Sequence, residues 1–364
     1  ARDPVSTVPV EKTKDEGAPG EPQVENGIIV PEGWEQIFHF LRERRGGMVY
    51  VVGGADRGKT TFCRWLTSRL TEIGTTGFLD CDIGQSTLGP PATVGLALYS
   101  GSPEDPGATY FRFVGAVTPS GHMVQELVGA LRLKEKAREE GASYIVADSP
   151  GWVVEPAAQE FHVRMIDLLQ PDVVIGFERG PELEGILVNF RRHPRIRIFE
   201  CATPAEVVER KRDWRKLYRF QRFSEYFSCA VPHARFLSGL GIHGRIPESF
   251  CDDAWRDLLI ALCDPEMMVV ALGLVDRLDL VTGTLSFRAP PHDAHRVATV
   301  HVGSIQVDLS NPPGRVSQGA RPVSWRQSTL SEGEDQSPPA RASPSPGARA
   351  DREHHSPGRS GTGS

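Results

Sequence analysis

The sequence predicts an α/β fold, in which a mainly parallel β-sheet is flanked by helices and followed by a small β-rich domain. Up to about residue 264, short β-rich apolar runs alternate with segments of helical periodicity. Such alternation is typical of a parallel sheet covered on both faces. After Pro265 the pattern changes to short strands separated by turn residues. We therefore expect a larger domain over 31–264 and a small β-rich domain over 265–310.

Each predicted element follows from its own run of residues. Apolar and β-branched runs predict strands, and apolar residues spaced three and four apart predict helices. The strands expected in the larger domain are Met48–Val52, Gly77–Leu79, Tyr110–Val114, Tyr144–Ala147, Val173–Gly176 and Ile196–Glu200. The expected helices cover 58–73, 122–140, 157–169, 181–192 and 204–227. The strands expected in the smaller domain are Val269–Leu274, Leu278–Leu280, Thr284–Arg288 and Thr299–Val302.

Composition and charge limit the remaining possibilities. The 364 residues are 39% hydrophobic and 24% charged, and their formal net charge of −6 argues against binding polyanions over the whole surface. Six cysteines without a CxxC pair indicate a reducing compartment, and no apolar run reaches the roughly 18 residues of a membrane span. We expect a cytoplasmic protein without membrane contact. Segments 1–30 and 311–364 are poor in apolar periodicity, which predicts a disordered arm and a disordered tail.

A GxxxxGK[ST] motif lies between the strand Met48–Val52 and a helical segment. Its residues are Gly53, Gly54, Ala55, Asp56, Arg57, Gly58, Lys59, Thr60 and Thr61. In such a motif the backbone N–H groups enclose a β-phosphate, Lys59 bridges the β- and γ-phosphate oxygens, and Thr60 holds Mg²⁺. A plain glycine turn is the alternative, which the complete motif in its context disfavours. The sequence therefore predicts a P-loop NTPase that binds ATP and Mg²⁺. A carboxylate is unfavourable beside phosphates, so we expect the side chain of Asp56 to face solvent.

A second motif, which is acidic, ends the next predicted strand. Asp80 and Asp82 are two positions apart, so both side chains point to the same side, and Gln85 follows them. Phosphoryl transfer needs one carboxylate to hold hydrated Mg²⁺ and another group to orient or deprotonate the nucleophile. We predict that Asp80 is a metal ligand and that Asp82 is the general base. The alternative is that these carboxylates cap a turn, and it stays open for Asp80 in particular.

A third carboxylate, Asp148, ends the strand Tyr144–Ala147 and begins the sequence Asp-Ser-Pro-Gly-Trp. P-loop proteins often carry the acid of the Walker B motif at such a position, which predicts a metal ligand. The segment also resembles the DxxG switch of GTPases. However, no NKxD or TKxD motif for guanine follows it.

A strongly basic helix is predicted within 204–227. Seven of the thirteen residues in 210–222 are Lys or Arg, and Arg215, Arg219 and Arg222 share one side of the helix. A lid closing over a γ-phosphate would use such guanidinium groups to stabilise the charge of the transition state. The alternative is an ordinary solvated helix. A second basic cluster could follow a nucleic-acid backbone or form a solvated loop; it consists of Arg191, Arg192, Arg195 and Arg197.

Taken in order, the motifs resemble those of the polynucleotide 5′-hydroxyl-kinases, which are related to the kinase subunit of the pre-mRNA cleavage complex and to the rRNA-processing kinases. The resemblance covers roughly residues 30–305. Its residues are Asp80, Asp82 and Gln85 for DxDxGQ, Thr118 to His122 for the TPxxN clasp, Ser149 to Val153 for a TPGWV-like stretch, and Arg210, Arg215, Arg219, Tyr226 and Phe227 for the lid. His122 replaces the usual Asn, and Asp148 replaces a residue that is more often neutral.

The resemblance implies that the γ-phosphate of ATP is transferred, with Mg²⁺, to 5′-hydroxyl ends of RNA or DNA. It implies that Asp82 activates the hydroxyl and that Lys59, Arg215 and Arg219 stabilise the developing charge. Residues implied to bind the acceptor are Gln85, Thr118, His122, Trp152 and Arg210. Trp152 is expected to stack on the terminal base, or alternatively to belong to the core. Larger eukaryotic members carry an N-terminal domain, so the chain looks like a compact, prokaryotic form.

Two other functions stay open at the level of sequence. The chain could be a catalytically silent module that uses bound ATP as a clamp for protein partners, which the sequence does not identify. It could also be a GTPase-like switch, which the missing guanine motif disfavours. ATP turnover with an oligonucleotide acceptor distinguishes the first alternative, and nucleotide preference distinguishes the second.

Overall fold

Two β-sheets form the framework of the protein, for which we obtained a computed structural model. The structure describes residues 11–12, 23–25, 28–203, 210, 212–249 and 251–312, and all of them belong to one compact unit. Of the predicted N-terminal arm it describes three short strands, and the remainder of the arm lies outside the described residues. The predicted tail also lies outside them from residue 313 onward.

The strands and helices are numbered in chain order. The strands are β1 (Glu11–Lys12), β2 (Gln23–Glu25), β3 (Ile28–Val30), β4 (Gly47–Gly53), β5 (Thr76–Asp80), β6 (Thr93–Tyr99), β7 (Ala108–Phe113), β8 (Tyr144–Asp148), β9 (Val173–Glu178), β10 (Arg197–Ala202), β11 (Val231–Phe236), β12 (Gly241–Gly244), β13 (Leu258–Cys263), β14 (Val269–Asp279), β15 (Thr284–Ala289) and β16 (Thr299–Gln306). The helices are α1 (Glu32–Arg44), α2 (Lys59–Thr71), α3 (Met123–Glu139), α4 (Pro156–Leu169), α5 (Glu184–Leu187), α6 (Arg212–Tyr226) and α7 (Asp252–Trp255).

The larger sheet has eight strands in the order β1-β10-β9-β4-β8-β5-β6-β7. The first six of these run parallel, whereas β6 and β7 are antiparallel to their neighbours. Alternate residues of β4 enter two different cores. Met48, Tyr50 and Val52 pack on the side of α3 and α4, and Val49 and Val51 pack on the side of α1 and α2. The predicted fold, a mainly parallel sheet between helices, is confirmed.

The smaller sheet has six strands in the order β11-β15-β14-β13-β16-β12. Three of them, β11, β12 and β13, lie before Pro265 and so fall within the domain that the sequence analysis assigns to the larger sheet. The signal was weak because β11 and β12 are short and largely exposed. The fully buried run Leu258–Cys263 gives no alternation to identify it as a strand. The division at residue 265 stays a prediction, but the second sheet itself begins at Val231.

Most predicted helices are present with slightly shifted ends. The exception is 181–192, where only a short 3₁₀ turn at Pro181–Leu183 and the four-residue helix α5 form. Of the predicted helix 204–227, the structure describes α6 from Arg212 onward, and 204–209 and 211 lie outside the described residues. In the described part of the chain, no helix combines the length and the apolar composition that crossing a bilayer requires.

The second sheet packs against the larger domain through hydrogen bonds and an apolar cluster. Ser304, on β16, donates hydrogen bonds from its backbone N–H and its hydroxyl to the carbonyl of Gly115, at 2.9 and 3.1 Å. Phe113, Phe223 and Phe227 are buried together with β13, β14 and β16 side chains in one apolar cluster. The second sheet is therefore attached both beside the predicted clasp and under the end of α6.

Candidate active site

The phosphate-binding loop joins the end of β4 to the start of α2. Gly58 has φ 91°, a left-handed conformation that favours glycine, and it immediately precedes Lys59, the first residue of the helix. The Lys59 side chain is buried and its Nζ donates a hydrogen bond to the Gly54 carbonyl at 2.9 Å. A cavity of about 380 Å³ opens beside the loop; its lining includes Gly54, Ala55, Gly151 and Arg215. A lysine, a helix N-terminus and an adjacent cavity thus suit a nucleotide phosphate chain.

The loop is crossed by the segment that follows β8. A Cβ atom on Gly151 would lie 2.6 Å from the Cα of Ala55, so only glycine allows this close approach. The hydroxyl of Thr60 donates a 2.6 Å hydrogen bond to Oδ2 of Asp148. The structure therefore brings the predicted phosphate and metal residues of β4, α2 and β8 into one place.

The predicted magnesium site fits the residues around Asp148. Its Oδ1 is buried and has no hydrogen-bond partner among the described residues. Burial raises the pKa of Asp148 to about 7, and the positive charge of Lys59 offsets part of that rise. A buried carboxylate with one unpartnered oxygen beside a threonine hydroxyl is a suitable oxygen donor set for a hydrated Mg²⁺.

Asp80 is engaged in ordering the turn after β5. Its Oδ1 accepts the N–H of Asp82 at 3.1 Å, and its Oδ2 accepts hydrogen bonds from Ser86, Thr87 and Leu88. A carboxylate offers about four acceptor positions, so these contacts leave little capacity for a metal ion. Burial raises its pKa to about 6. The contacts favour the turn-ordering alternative, and the metal role of Asp80 stays a prediction.

Asp82 is held by one oxygen only. Its Oδ1 accepts the backbone N–H groups of Gly84 and Gln85, at 3.0 and 2.9 Å. Its Oδ2 makes no hydrogen bond to any residue that the structure describes, and the side chain is partly exposed. Its negative charge raises the pKa of Asp148, which places Asp82 near the phosphate-binding loop. A fixed carboxylate with one available oxygen is a geometry suited to a general base.

Helix α6 lies across the site and supplies the predicted arginines. Arg219 makes no hydrogen bond to the described residues and its Nε is buried. Burial lowers the pKa of its guanidinium, and the charge of Asp82 offsets part of that effect. The Nη2 of Arg215 instead donates to Oδ2 of Asp56 at 3.0 Å. Arg210 places its guanidinium 4.2 Å from the centroid of the Trp214 ring and is half exposed, so its predicted acceptor contact stays a prediction.

The expectation that Asp56 faces solvent is wrong. Its side chain is only 7% exposed, because it accepts the Arg215 guanidinium and the backbone N–H of Arg210 at 2.9 Å. The sequence analysis considered only the phosphates as neighbours of this carboxylate. The basic lid, 154 and 159 residues further along the chain, supplies the positive charge that permits its burial.

The predicted clasp lies between β7 and α3. His122 is the residue preceding α3, is 6% exposed, and has an Nε2 without a hydrogen-bond partner among the described residues. Burial lowers its pKa, and the nearby Arg245 lowers it further, so the ring is neutral at pH 7. Arg245, from the second sheet, donates to the Gly121 carbonyl at 3.0 Å. Contacts from the second sheet therefore support the backbone of the clasp, which the sequence did not indicate.

Comparison with known proteins places these motifs in a family. The family described as the mRNA cleavage and polyadenylation factor CLP1 P-loop matches residues 53–229. A polyribonucleotide 5′-hydroxyl-kinase of Methanocaldococcus jannaschii is 29% identical over 319 residues, which are 71% of this chain and 87% of that protein. Both similarities support the Clp1-type polynucleotide 5′-hydroxyl-kinase family. The family predicted from the sequence motifs is thereby confirmed.

A human relative and a solved structure are also similar to the chain. Human polyribonucleotide 5′-hydroxyl-kinase Clp1 is 30% identical over 213 residues, which are 53% of this chain and 48% of the human protein. The solved structure of the wild-type Clp1p–Pcf11p complex matches with a TM-score of 0.59 at 13% identity, over 75% of this chain and 78% of that chain. The structural likeness supports the fold.

The remaining motif of the kinase family, Ser149 to Val153, is positioned by a buried histidine. His162 on α4 contacts the Trp152 carbonyl through Nε2 at 2.9 Å and the Tyr50 hydroxyl through Nδ1 at 2.7 Å. A carbonyl can only accept, so Nε2 carries the proton and Nδ1 accepts from Tyr50. Burial lowers the pKa of His162 to about 3, which keeps the ring neutral. Trp152 is partly buried against Phe161, and its stacking role stays a prediction.

Glu126 is a buried acidic residue that the sequence analysis did not single out. It lies in the first turn of α3, directly after the clasp, and neither carboxylate oxygen has a partner among the described residues. Burial and the charge of Asp82 raise its pKa well above the usual value for glutamate. Its position on a helix face gave no signal, because an acidic residue in a first helical turn is normally solvated and favourable.

Proposed function

We propose that this protein is an ATP- and Mg²⁺-dependent polynucleotide 5′-hydroxyl-kinase that acts on RNA or DNA ends. The observation that carries the proposal is that the charges of three groups act on shared neighbours, because Asp82 acts on Arg219 and on Asp148, and Lys59 also acts on Asp148. The phosphate loop supplies Lys59, and the loop after β5 supplies Asp82 with its available oxygen. The lid supplies the guanidinium of Arg219, which has no hydrogen-bond partner among the described residues. Phosphoryl transfer requires a phosphate-binding cation, a base and a stabiliser of charge in such an arrangement.

The donor nucleotide would bind along the loop Gly53 to Thr61. Lys59 would leave the Gly54 carbonyl for the β- and γ-phosphates, and the N–H groups at the start of α2 would contact the same charge. Thr60 and Asp148 would hold Mg²⁺, which would supply positive charge that neutralises part of the phosphate charge. Asp80 would keep the neighbouring turn in place so that Asp82 faces the acceptor.

The transfer step would take place between the loop and the lid. The 5′-hydroxyl oxygen forms a bond to the γ-phosphorus while the bond from that phosphorus to the β–γ bridging oxygen breaks, and ADP leaves. Asp82 accepts the proton of the hydroxyl through its free oxygen. Arg219 and Lys59 donate hydrogen bonds to the phosphoryl oxygens, where the developing negative charge is greatest. Gln85, Thr118, His122 and Trp152 are the proposed acceptor-binding residues.

A nucleotide-clamped interaction module is the second candidate. The observation that favours it is the solved complex of the similar protein Clp1p with Pcf11p, which shows that a protein of this fold assembles with a partner. A clamp would bind ATP and transfer nothing.

The six cysteines are free, which supports the predicted cytoplasmic location without testing it.

The test is transfer of label from γ-labelled ATP to oligonucleotides with 5′-hydroxyl ends, as RNA and as DNA, with 5′-phosphorylated oligonucleotides as the acceptor control. We expect Lys59→Ala and Asp82→Asn to lower transfer by about 10²–10³-fold. Asp105→Asn, which changes an exposed loop carboxylate, should transfer normally. Bound ATP with no labelled end for any acceptor would replace the kinase with the clamp, and a preference for GTP would favour a switch.

A further inference from the structure

The lid helix α6 is fixed at its C-terminal end by the second sheet. Phe223 and Phe227 are buried in the apolar cluster of that sheet, and the Tyr226 hydroxyl accepts the N–H of Leu272 at 2.8 Å. These contacts come from β-strands and a packed core, so they hold the end of the helix independently of the nucleotide. One end of the lid is therefore a fixed support.

The middle of the lid contacts the loop that follows β5 and carries Asp82. The Tyr218 hydroxyl donates to the Ser86 carbonyl at 2.9 Å, and Arg222 donates to the Gly89 carbonyl at 3.0 Å. Because both acceptors are backbone atoms, these bonds fix the height of the helix above the loop that carries Asp82. They do not reach the phosphate-binding loop.

The N-terminal half of the lid has a different support. Arg212, Asp213, Trp214, Lys216 and Leu217 are exposed. Within the described residues, the hydrogen bond from this half to the rest of the protein is the one from Arg215 to Asp56. Asp56 also accepts the backbone N–H of Arg210 immediately before the helix. A single carboxylate of the phosphate-binding loop thus holds the N-terminal end of the lid.

The backbone conformation of Asp56 limits which residues can occupy this position. Its φ is 55°, in the left-handed region, which is unfavourable for most residues and tolerated best by Gly, Asn and Asp. Glycine would adopt this conformation at lower cost but would lack the carboxylate. The side chain is also 7% exposed although no phosphate-binding function requires an acid there.

The two lid arginines consequently differ in what remains available to a ligand. Arg215 uses its Nη2 for Asp56, so the charges of this pair largely cancel. Arg219 has no hydrogen-bond partner among the described residues and responds to the charge of Asp82. The positive charge that remains available near Asp82 is therefore that of Arg219.

We propose that Asp56 is a positioning residue that fastens the lid to the phosphate-binding loop through Arg215, leaving Arg219 as the lid arginine that contacts the transferred phosphoryl group. The proposal rests on the proposed kinase function for the role of Arg219 and deepens it. It divides between two residues a task that the family resemblance assigns to both.

The test is a double-mutant cycle between Asp56 and Arg215, measured by hydrogen exchange of the backbone amides of 212–217 and by kcat. Asp56→Gly removes the carboxylate without straining the left-handed backbone, and Asp56→Asn keeps the shape but removes the charge. We expect exchange to rise about five- to tenfold in Asp56→Gly and in Arg215→Ala, less in Asp56→Asn, and no further in the double variant. Lys216→Ala is the control, because Lys216 is exposed and pairs only with Asp213 on the same helix.

The kinetic result separates the two arginines. We expect Asp56→Gly and Arg215→Ala to lower kcat by a similar factor of about ten without adding to each other, and Arg219→Ala to lower it by about 10²–10³-fold. Unchanged exchange in Asp56→Gly, or additive effects in the double variant, would overturn the proposal. Loss of activity in Arg215→Ala equal to that in Arg219→Ala, with none in Asp56→Gly, would also overturn it. Hydrogen exchange does not depend on phosphoryl transfer. If exchange shows the expected coupling between Asp56 and Arg215 but no labelled product forms, only the kinase function is contradicted.

Discussion

The donor half of the site and its acceptor half differ in how their polar groups are satisfied. In the donor half, Lys59 pairs with the Gly54 carbonyl and Thr60 pairs with Asp148, at 2.9 and 2.6 Å. In the acceptor half, His122 and Glu126 keep buried polar atoms without partners among the described residues. In the donor half, Asp148 keeps one buried oxygen without a partner, at the predicted Mg²⁺ site, and pairs through the other, whereas neither oxygen of Glu126 in the acceptor half has a partner among the described residues.

Their supports differ as well. The donor loop is held by adjacent parallel strands of one sheet, β4 and β8. The clasp is held by Arg245, which follows β12 of the second sheet, and Ser304 of β16 bonds to Gly115 just before the clasp; these contacts span 124 and 189 residues of sequence. A mutation in the second sheet should therefore affect the acceptor without affecting ATP, and a mutation at β8 should do the reverse.

The largest effect should follow Asp148→Asn in the donor half. We expect kcat to fall by about 10³-fold, because the amide removes the charge that would hold Mg²⁺. Without Mg²⁺ at pH 8 the same variant should be more stable than the wild type, with a free energy of unfolding higher by about 4 kcal/mol. The native pKa of Asp148 is raised to about 7, so its contribution to stability is full at low pH and is lost as the pH rises through 7.

Chemical denaturation at pH 5 and pH 8, with and without Mg²⁺, measures this effect. The stabilisation by Asn should be larger at pH 8 than at pH 5 and should shrink or reverse when Mg²⁺ is added. Asp105→Asn serves as the exposed control. If Asp148→Asn is less stable than the wild type in metal-free buffer at pH 8, the burial of the Asp148 charge does not destabilise the native state and the prediction is contradicted.

A smaller effect is expected from Arg245→Ala in the second sheet. Removing the hydrogen bond to the Gly121 carbonyl should loosen the clasp and raise KM for the oligonucleotide about three- to tenfold. KM for ATP should stay unchanged, because no donor residue contacts Arg245. Steady-state kinetics with each substrate varied in turn gives both constants, and Arg277→Ala, an exposed arginine of the same sheet, is the control. Equal changes in both KM values would remove the distinction between the two halves.

A third effect concerns stability rather than kinetics and arises from His162, which holds the Trp152 carbonyl. Its native pKa of about 3 lies below its unfolded value, so the unfolded chain takes up the proton first. Stability from this group is complete above pH 6.5 and is lost as the pH falls toward 3. Between pH 7.5 and 5 the loss should be about 2 kcal/mol. Urea unfolding of His162→Gln should lack this component, whereas the exposed control His295→Gln should retain it; equal pH dependence in His162→Gln and the wild type would contradict the prediction.

The same contrast explains what could be predicted from the sequence. The phosphate loop is contiguous, and its chemistry follows from nine neighbouring residues between a strand and a helix, so its geometry could be anticipated. The buried Glu126, the His162 contact with Trp152 and the burial of Asp56 depend on residues that are brought together only by folding. Strands β11 and β12 carry little apolar pattern, so the sequence did not indicate that they join the second sheet. Hydrophobic periodicity reports local burial, and it contains no information about which distant segment covers a polar group.

The most direct test of the account is to count ADP and 5′-phosphorylated ends in the same reaction. The purified protein is incubated with ATP, Mg²⁺ and a 5′-hydroxyl oligonucleotide, and both products are quantified over time. We predict one phosphorylated end for every ADP, and no ADP above background when the acceptor carries a 5′-phosphate. ADP formation without phosphorylated ends, or tightly bound ATP that yields neither product, would contradict the assignment of Asp82 and Arg219 to transfer onto a 5′-hydroxyl.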